Sequence, residues 1–319
     1  MKALTIREYG GVDKFQLQEL NMPQPAADEV LIEVHCAAIN PLDWKIRRGD
    51  LRVILSRNFP KTIGSDVAGI VNAVGGAVSK FKVGDRVFGL CDNFHSPSGS
   101  YAQFCLAPAK WLTLLPESVS FADAASLPVA ALTAYKGLFE HGGVEAGQWA
   151  FINGAAGGVG SFAVQLAKER GVLVTAACGP NNIDFVRSLG ADEVLNYKEK
   201  SISDTNHKYQ VFLDASAKSS FFKVKNHLTN KGVYVTTVPS ASLFLALPIT
   251  LPFSGQKAEV VLATSGNETT TELDHLARLV AESKLVPYIS KTVSLEEVAE
   301  AHREAEGEHT RGKVVVQVQ

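Results

Sequence analysis

Cysteine is scarce: there are four in 319 residues, at Cys36, Cys91, Cys105 and Cys178, with no CxxC pair among them. That distribution excludes a disulfide framework and supplies no thiolate set for a structural zinc. Neither sign of charge is in excess. With 31 Lys+Arg against 33 Asp+Glu the formal net charge is -2, so no chain-wide positive field exists to hold nucleic acid or an anionic membrane. Long apolar runs are missing as well. The longest, Ser242 to Phe253 (SLFLALPITLPF), is shorter than the roughly 20 residues of a membrane span and contains Pro248 and Pro252. It reads as a loop or short helix at an apolar surface, with peripheral membrane contact as the alternative. The opening residues MKALTIRE show neither the apolar stretch nor the cleavage site of a secretory signal, which predicts a reducing, cytoplasmic setting.

What is present is ordinary globular composition, 46% hydrophobic and 20% charged, at a length that predicts two domains. The first 120 or so residues read as strands and turns. Glu29 to Cys36 alternates Val30, Ile32, Val34 and Cys36, Asp66 to Val74 and Asp85 to Phe88 follow, and Gly64, Gly69, Gly75, Gly76, Gly84 and Gly89 mark turns between and within them. The pattern predicts a compact, partly open β-barrel. From about Phe121 strands and amphipathic helices alternate: a helical stretch Asp123 to His141 interrupted by Pro128, then strands at Gln148 to Asn153, Leu173 to Cys178, Val194-Leu195, Val211 to Leu213 and Val233 to Thr237. Helices are predicted at Gly158 to Arg170 and Asn181 to Leu189. Such alternation predicts a doubly wound parallel sheet, so the fold class is α/β. The tail gives helices at Thr271 to Ser283 and Leu295 to Glu306. Its closing strand, Lys313 to Val318, is expected to join the first, β-rich domain. The expected domains are residues 1–121, 122–265 and a return over 266–319.

The strongest local signal is the strand Gln148 to Asn153 running into Gly154-Ala155-Ala156-Gly157-Gly158-Val159-Gly160. The following helix carries Val159, Phe162, Ala163, Leu166 and Ala167 on one face, so its N-terminus is free to point amides at a pyrophosphate. In the GxGxxG frame, Gly157 permits close phosphate approach and Gly160 permits close helix–strand packing, while Ala155 replaces the first glycine. Strand, glycine turn, helix and strand together predict a dinucleotide site. At the end of the second strand, Ala177 to Asn182 (ACGPNN) carries no carboxylate to repel a 2′-phosphate, which favours NADPH. Cys178, Asn182, Tyr197 and Lys198 are its candidate contacts.

Seven ordered segments then carry a family resemblance: Asn40 to Gly49 (NPLDWKIRRG), Gly64 to Val71 (GSDVAGIV), Val83 to Val87 (VGDRV), Ala131 to Tyr135 (ALTAY), Ala156 to Gly160 (AGGVG), Leu189 to Asp192 (LGAD) and Arg311 to Val314 (RGKV). Together they resemble the medium-chain dehydrogenase/reductase superfamily, in its zinc-free quinone oxidoreductase branch, and most of all the enone and quinone reductases related to chloroplast-envelope homologues. The resemblance implies a GroES-like barrel built from both chain ends, a Rossmann domain between them, and NADPH in the cleft. It implies a homodimer joined through edge strands, for which Ala258 to Ala263 (AEVVLA) is the candidate, an unpaired apolar edge being otherwise a hazard. It also implies cofactor contacts at Asn40, Thr133, Leu262 and Arg311, besides Ala156 to Gly160. The superfamily's zinc members use a Cys and a His-Glu pair; Asn40 stands at the first position here and Ser65-Asp66 at the second, a donor set unsuited to zinc.

With that ligand set replaced, hydride delivery to a quinone or to the β-carbon of an α,β-unsaturated carbonyl is the expected chemistry, the protein supplying donors for the developing enolate. Asn40 and Lys45 are the candidate catalytic residues. A solvated surface amine is the competing reading of Lys45. Asp43 is expected to cap a turn or pair with Arg47, catalysis being the lesser reading because a carboxylate there would oppose enolate charge, and Tyr101 to be a half-buried strand aromatic. Enoyl-thioester reductases of the superfamily place a tyrosine just after the glycine equivalent to Gly49; Asp50, Leu51 and Arg52 stand here, which argues against acyl thioesters. The alternatives to a quinone or enone reductase are a crystallin-like NADPH-binding protein with incidental catalysis and an alcohol dehydrogenase-type oxidoreductase.

Overall fold

The computed structural model describes residues 1–55, 58–239, 243, 245–246, 255–263, 269–307 and 310–319. The chain divides into two compact units, Met1–Val129 with Gly266–Ser283 and Ile289–Gln319, and Ala130–Ser265 with Lys284–Tyr288. Most of the apolar run 242–253 and of the loop 240–255 lies outside the described residues.

The first unit is built on β3 (Glu29–Ile39), a long strand that pairs with β5 (Asp66–Val74), β7 (Phe104–Pro108) and β16 (Lys313–Gln317), all antiparallel. Its alternation places Val30, Ile32 and Val34 in one buried cluster, while Ala37 and Ile39, past an irregularity in the β5 register, enter a second. Both faces of the strand are therefore buried, which explains the near-continuous apolar sequence. β6 (Arg86–Leu90) and β8 (Leu112–Leu114) extend the sheet on one side, and β15 (Ile289–Ser294) pairs parallel with β16 on the other. A second sheet has the order β2 (Gln16–Glu19), β1 (Lys2–Ile6), β4 (Lys61–Thr62).

The stretch expected to hold only strands and turns contains a helix, α1 (Pro41–Arg48). Its start is written locally: Asn40 in extended conformation, Pro41 at the first helical position, and Asp43 at N3 closing a capping box with Asn40. Gly49 ends it with φ +79°, the left-handed conformation that favours glycine.

The second unit is a six-stranded, all-parallel sheet: β11 (Glu193–Asn196), β10 (Leu173–Cys178), β9 (Trp149–Asn153), β12 (Tyr209–Asp214), β13 (Leu228–Thr236) and β14 (Lys257–Val260). Strand order reverses between β9 and β12, the place where an open α/β sheet offers a ligand crevice. The predicted helix 123–141 is three pieces: α2 (Phe121–Ser126), α3 (Pro128–Tyr135), starting at the proline, and a π-helical turn over Lys136–His141. The helix expected over 181–189 is shorter, a 3-10 turn followed by α5 (Ile183–Ser188). The edge strand is also displaced from expectation: β14 spans Lys257–Val260, the Val261 N–H still donates to Thr236 O at 2.9 Å, and Leu262 and Ala263 lie beyond the strand.

Candidate active site

In the first unit the polar groups around Asn40 form a buried network. The Asn40 backbone N–H donates to Asp43 Oδ2 at 2.7 Å, Ser65 Oγ donates to Asp43 Oδ1 at 2.7 Å, and Tyr101 Oη reaches Asp43 Oδ2 at 3.3 Å. Tyr101 also meets His302 Nε2 at 3.2 Å, and Asn93 Nδ2 donates to Ser65 Oγ at 3.1 Å. The Asn40 side chain belongs to a second group: its Nδ2 donates to Asp66 Oδ2 at 2.8 Å, while Lys313 Nζ donates to Asn40 Oδ1 at 2.6 Å and to Asp66 Oδ2 at 3.2 Å. The Val129 backbone N–H completes Asp66 at 2.8 Å.

Burial sets the protonation behaviour here. Loss of hydration pushes Asp43 up to about 7, with the Ser65 bond and the Asn40 N–H opposing and the neighbouring Asp66 charge assisting. Asp66 is likewise raised by burial, against the pull of Lys313, Asn40 and the Val129 N–H. His302 is driven down to about 3 by burial and by the Arg47 guanidinium, so it is a neutral imidazole at physiological pH.

In the second unit, β9 leads through the glycine-rich turn into α4 (Gly158–Glu169), which buries Phe162, Ala163, Leu166 and Ala167 against the sheet. Gly154, not residue 155, takes the left-handed conformation, φ +82°. A Cβ at Gly160 would stand 2.2 Å from Gly154 O, so only glycine lets helix and turn approach this closely. A Cβ at Gly157 would meet only Gly154 O, at 3.6 Å, and that flank is open. Gly157 is the N-cap and has no side-chain cap bond, leaving the first amides of α4 available to an anion. At the switch point, Asn153 Nδ2 donates to Asp214 Oδ1 at 2.8 Å and Ser216 Oγ at 2.9 Å.

The comparisons with known proteins agree with this frame. A profile described as alcohol dehydrogenase GroES-like domain matches residues 26–117, and one described as zinc-binding dehydrogenase matches residues 189–316. The spinach protein named quinone-oxidoreductase homolog, chloroplastic, is 34% identical over 328 residues, covering 99% of this chain and 98% of its own. The chain belongs to the zinc-free quinone oxidoreductase branch of the medium-chain dehydrogenase/reductase superfamily. It is an oxidoreductase. The Arabidopsis protein named NADPH-dependent alkenal/one oxidoreductase, chloroplastic, is 34% identical over 99% of this chain and 79% of its own. The quinone oxidoreductase structure from Coxiella burnetii superposes with a TM-score of 0.91 at 31% identity, covering 100% of this chain and 99% of that one. The zinc-binding description attaches to a segment that includes neither Asn40 nor Ser65-Asp66.

Within this dehydrogenase/reductase frame the predicted residues fall in two places. Asn40, Lys45 and Arg311 belong to the first unit; Thr133, the turn Ala156 to Gly160, Cys178, Asn182, Tyr197, Lys198 and Leu262 belong to the second. Lys45 is half-buried on α1, its pKa lowered chiefly by burial and by Arg48, with Asp50 opposing. Thr133 is buried in α3, Arg311 is half-buried just before β16, and Leu262 is exposed beyond β14. Cys178, Tyr197 and the loop between them do come together: the Tyr197 N–H bonds Cys178 O at 3.1 Å, and its hydroxyl lies beside Gly179. The Lys198 N–H is tied to Asn196 Oδ1 at 3.1 Å.

Of the two readings of Asp43 the cap holds and the Arg47 pair does not, and the expectation of a half-buried Tyr101 fails. Asp43 does cap, but its partner is not Arg47: Arg47 turns to Glu306 at 2.5 Å, because Asp43 is already saturated by Asn40, Ser65 and Tyr101. Tyr101 is fully buried, since its hydroxyl has Asp43 and His302 as partners and need not reach water. Sequence reasoning also missed Lys313, Asp66's role as its counter-ion, His302 and Asp214. Arg187, whose charge acts on Cys178, was missed as a cation near the end of β10. A conspicuous lysine in an otherwise apolar closing strand (KVVVQ) was the available signal for Lys313.

Proposed function

We propose that this protein is an NADPH-dependent, metal-independent reductase of quinones and α,β-unsaturated carbonyls. The observation that carries the reading is the uncapped, glycine-lined start of α4 at the switch point of a parallel sheet, next to a β10 end with no carboxylate. The residues fit a dinucleotide: amides of Gly158 to Gly160 for the pyrophosphate, the open flank at Gly157 for its approach, and Asn182, Tyr197, Lys198 and Arg187 for a 2′-phosphate. Cys178, Ala156, Thr133, Leu262, Arg311 and Asn40 complete the contacts we assign. When bound, the reduced nicotinamide supplies a hydride.

The chain's own residues then orient and stabilise. Lys45, half-buried and with a lowered pKa, holds positive charge toward the acceptor oxygen and is a reasonable source of its proton. Asn40 offers a carboxamide donor. Lys313 places an ammonium in the cluster that holds Asn40 and Asp66, so the positions where zinc members carry ligands are tied up in an internal ion pair. We assign 122–265 as the cofactor domain and 1–121 with 266–319 as a GroES-like barrel on the acceptor side; the two compact units support this division, although they part at Val129. A homodimer through β14 is part of the reading, supported by that strand's place at the sheet edge. Among the described residues no helix is long and apolar enough to cross a membrane. We read the compartment as cytoplasmic, and the chloroplastic relatives favour a plastid as the second reading.

The test is a panel of small quinones, enones and simple alcohols assayed with NADPH and with NADH. The reading expects turnover of quinones or enones with NADPH preferred. Turnover confined to alcohols, or tight NADPH binding with no turnover anywhere, would replace it.

A further inference from the structure

Lys313 is only 3% exposed, and its ammonium lies in a pocket of protein polar atoms rather than water. Its partners are Asn40 Oδ1 at 2.6 Å, Asp66 Oδ2 at 3.2 Å and, at the limit of a hydrogen bond, Ile39 O at 3.5 Å. A buried lysine is costly to keep unless its charge is used. Here it faces a carboxamide with two chemically different ends. An ammonium only donates, so the end it meets must be oxygen; the NH2 end then falls on Asp66, which only accepts. Turned around, the carboxamide would set donor against donor at Lys313 and acceptor against acceptor at Asp66. Both misplaced contacts would be buried, where an unmet donor or acceptor is costly.

We propose that Lys313, acting with Asp66, is the positioning residue for Asn40: the pair decides which way round its carboxamide faces and holds it there. Of the two Nδ2 hydrogens one is committed to Asp66 at 2.8 Å, and among the described residues the other has only Ala38 O at 3.5 Å. That second N–H is the one left to act on a ligand. The inference rests on the proposed function only for what Asn40 then does; the orientation itself is a property of the free protein.

The test therefore begins without cofactor. In an amide NMR spectrum of the free protein, the two Asn40 side-chain hydrogens should be well separated, and one should exchange with solvent far more slowly than in an exposed asparagine. In Lys313→Met that protection should fall about tenfold or more, and Lys313→Arg, which keeps a donor-only cation, should restore part of it. Freely exchanging, equivalent Asn40 hydrogens in the wild-type protein would overturn the proposal even if neither variant folded, and so would unchanged protection in a folded Lys313→Met. A kinetic cycle supplies the second readout. Lys313→Met should lower kcat about tenfold when Asn40 is present and less than about twofold in an Asn40→Ala background. Fully additive losses would contradict action through Asn40. If the wild-type protein reduces no quinone or enone at all, the proposed function fails while the exchange result stands on its own.

Discussion

In the first unit Asp43, Asp66, Lys313, Arg47 and His302 are all buried, and side chains hold one another in place. In the second unit the key surface is made of backbone: a left-handed Gly154, an uncapped helix start and two glycines whose missing side chains are the functional feature. On the proposed function, the contrast follows from what each unit would bind. A pyrophosphate is met by amides that every residue possesses, so the sequence specifies mainly where side chains must be absent. A reacting carbonyl needs a few donors at fixed positions, and those must be braced by further charged groups, which are stable indoors only when paired.

If that contrast is real, breaking the braces and filling the gaps should have different consequences. The largest effect is expected from Glu306→Ala, which strands the buried Arg47; about 3–5 kcal/mol of stability should be lost in chemical denaturation, with the glycine turn of any protein that remains folded still binding NADPH. Next, Gly160→Ala drives a Cβ against Gly154 O and should cost about 1–3 kcal/mol together with a clear loss of NADPH affinity in a fluorescence titration. Unchanged affinity would show that the turn is not the phosphate site.

Acidity sharpens the comparison from the other side. His302, neutral in the fold down to about 3, loses stability for the protein as pH falls below its unfolded value of 6.5, because the unfolded chain takes up the proton first. Asp43, raised to about 7, works oppositely: its contribution is full below the unfolded value of 3.8 and is lost as pH rises through about 7. Between pH 5 and 6.5 the two offset each other. His302→Gln should leave stability rising as pH falls, and Asp43→Asn should leave it falling, each by up to about 1.4 kcal/mol per pH unit in urea unfolding. Equal slopes in both variants would remove these groups from the account. The smallest effect expected is Lys45→Ala, about tenfold in kcat/KM for enones, roughly 1.4 kcal/mol, with NADPH affinity nearly unchanged.

Legibility in the sequence divides along the same line. The second unit was readable because strand, glycine turn and helix are consecutive, and the α4 face repeats with helical spacing from Val159 to Ala167. The α1 start was also written locally, as Asn40, Pro41 and Asp43, yet it was missed amid strands because an eight-residue helix is a short signal beside long alternating runs. The lysine of the brace left a trace in the closing strand, but its partners were not readable. Lys313 meets Asn40 across 273 positions and Asp66 across 247, and no local pattern records a pairing that only the β16–β3 register creates. Asp43 and Arg47 show the converse: the cap was legible locally, whereas the alternative pairing, natural for residues four apart on one helix, is pre-empted because Ser65 and Tyr101 claim the carboxylate and Glu306 claims the guanidinium.

The central claim is hydride transfer from NADPH to a quinone without a metal. It is tested most directly by following absorbance at 340 nm with 9,10-phenanthrenequinone as acceptor, after exhaustive dialysis against a chelator. The account predicts an NADPH-dependent rate equal to that of undialysed protein and unmoved by added zinc. A rate that vanishes on dialysis and returns with zinc would contradict it.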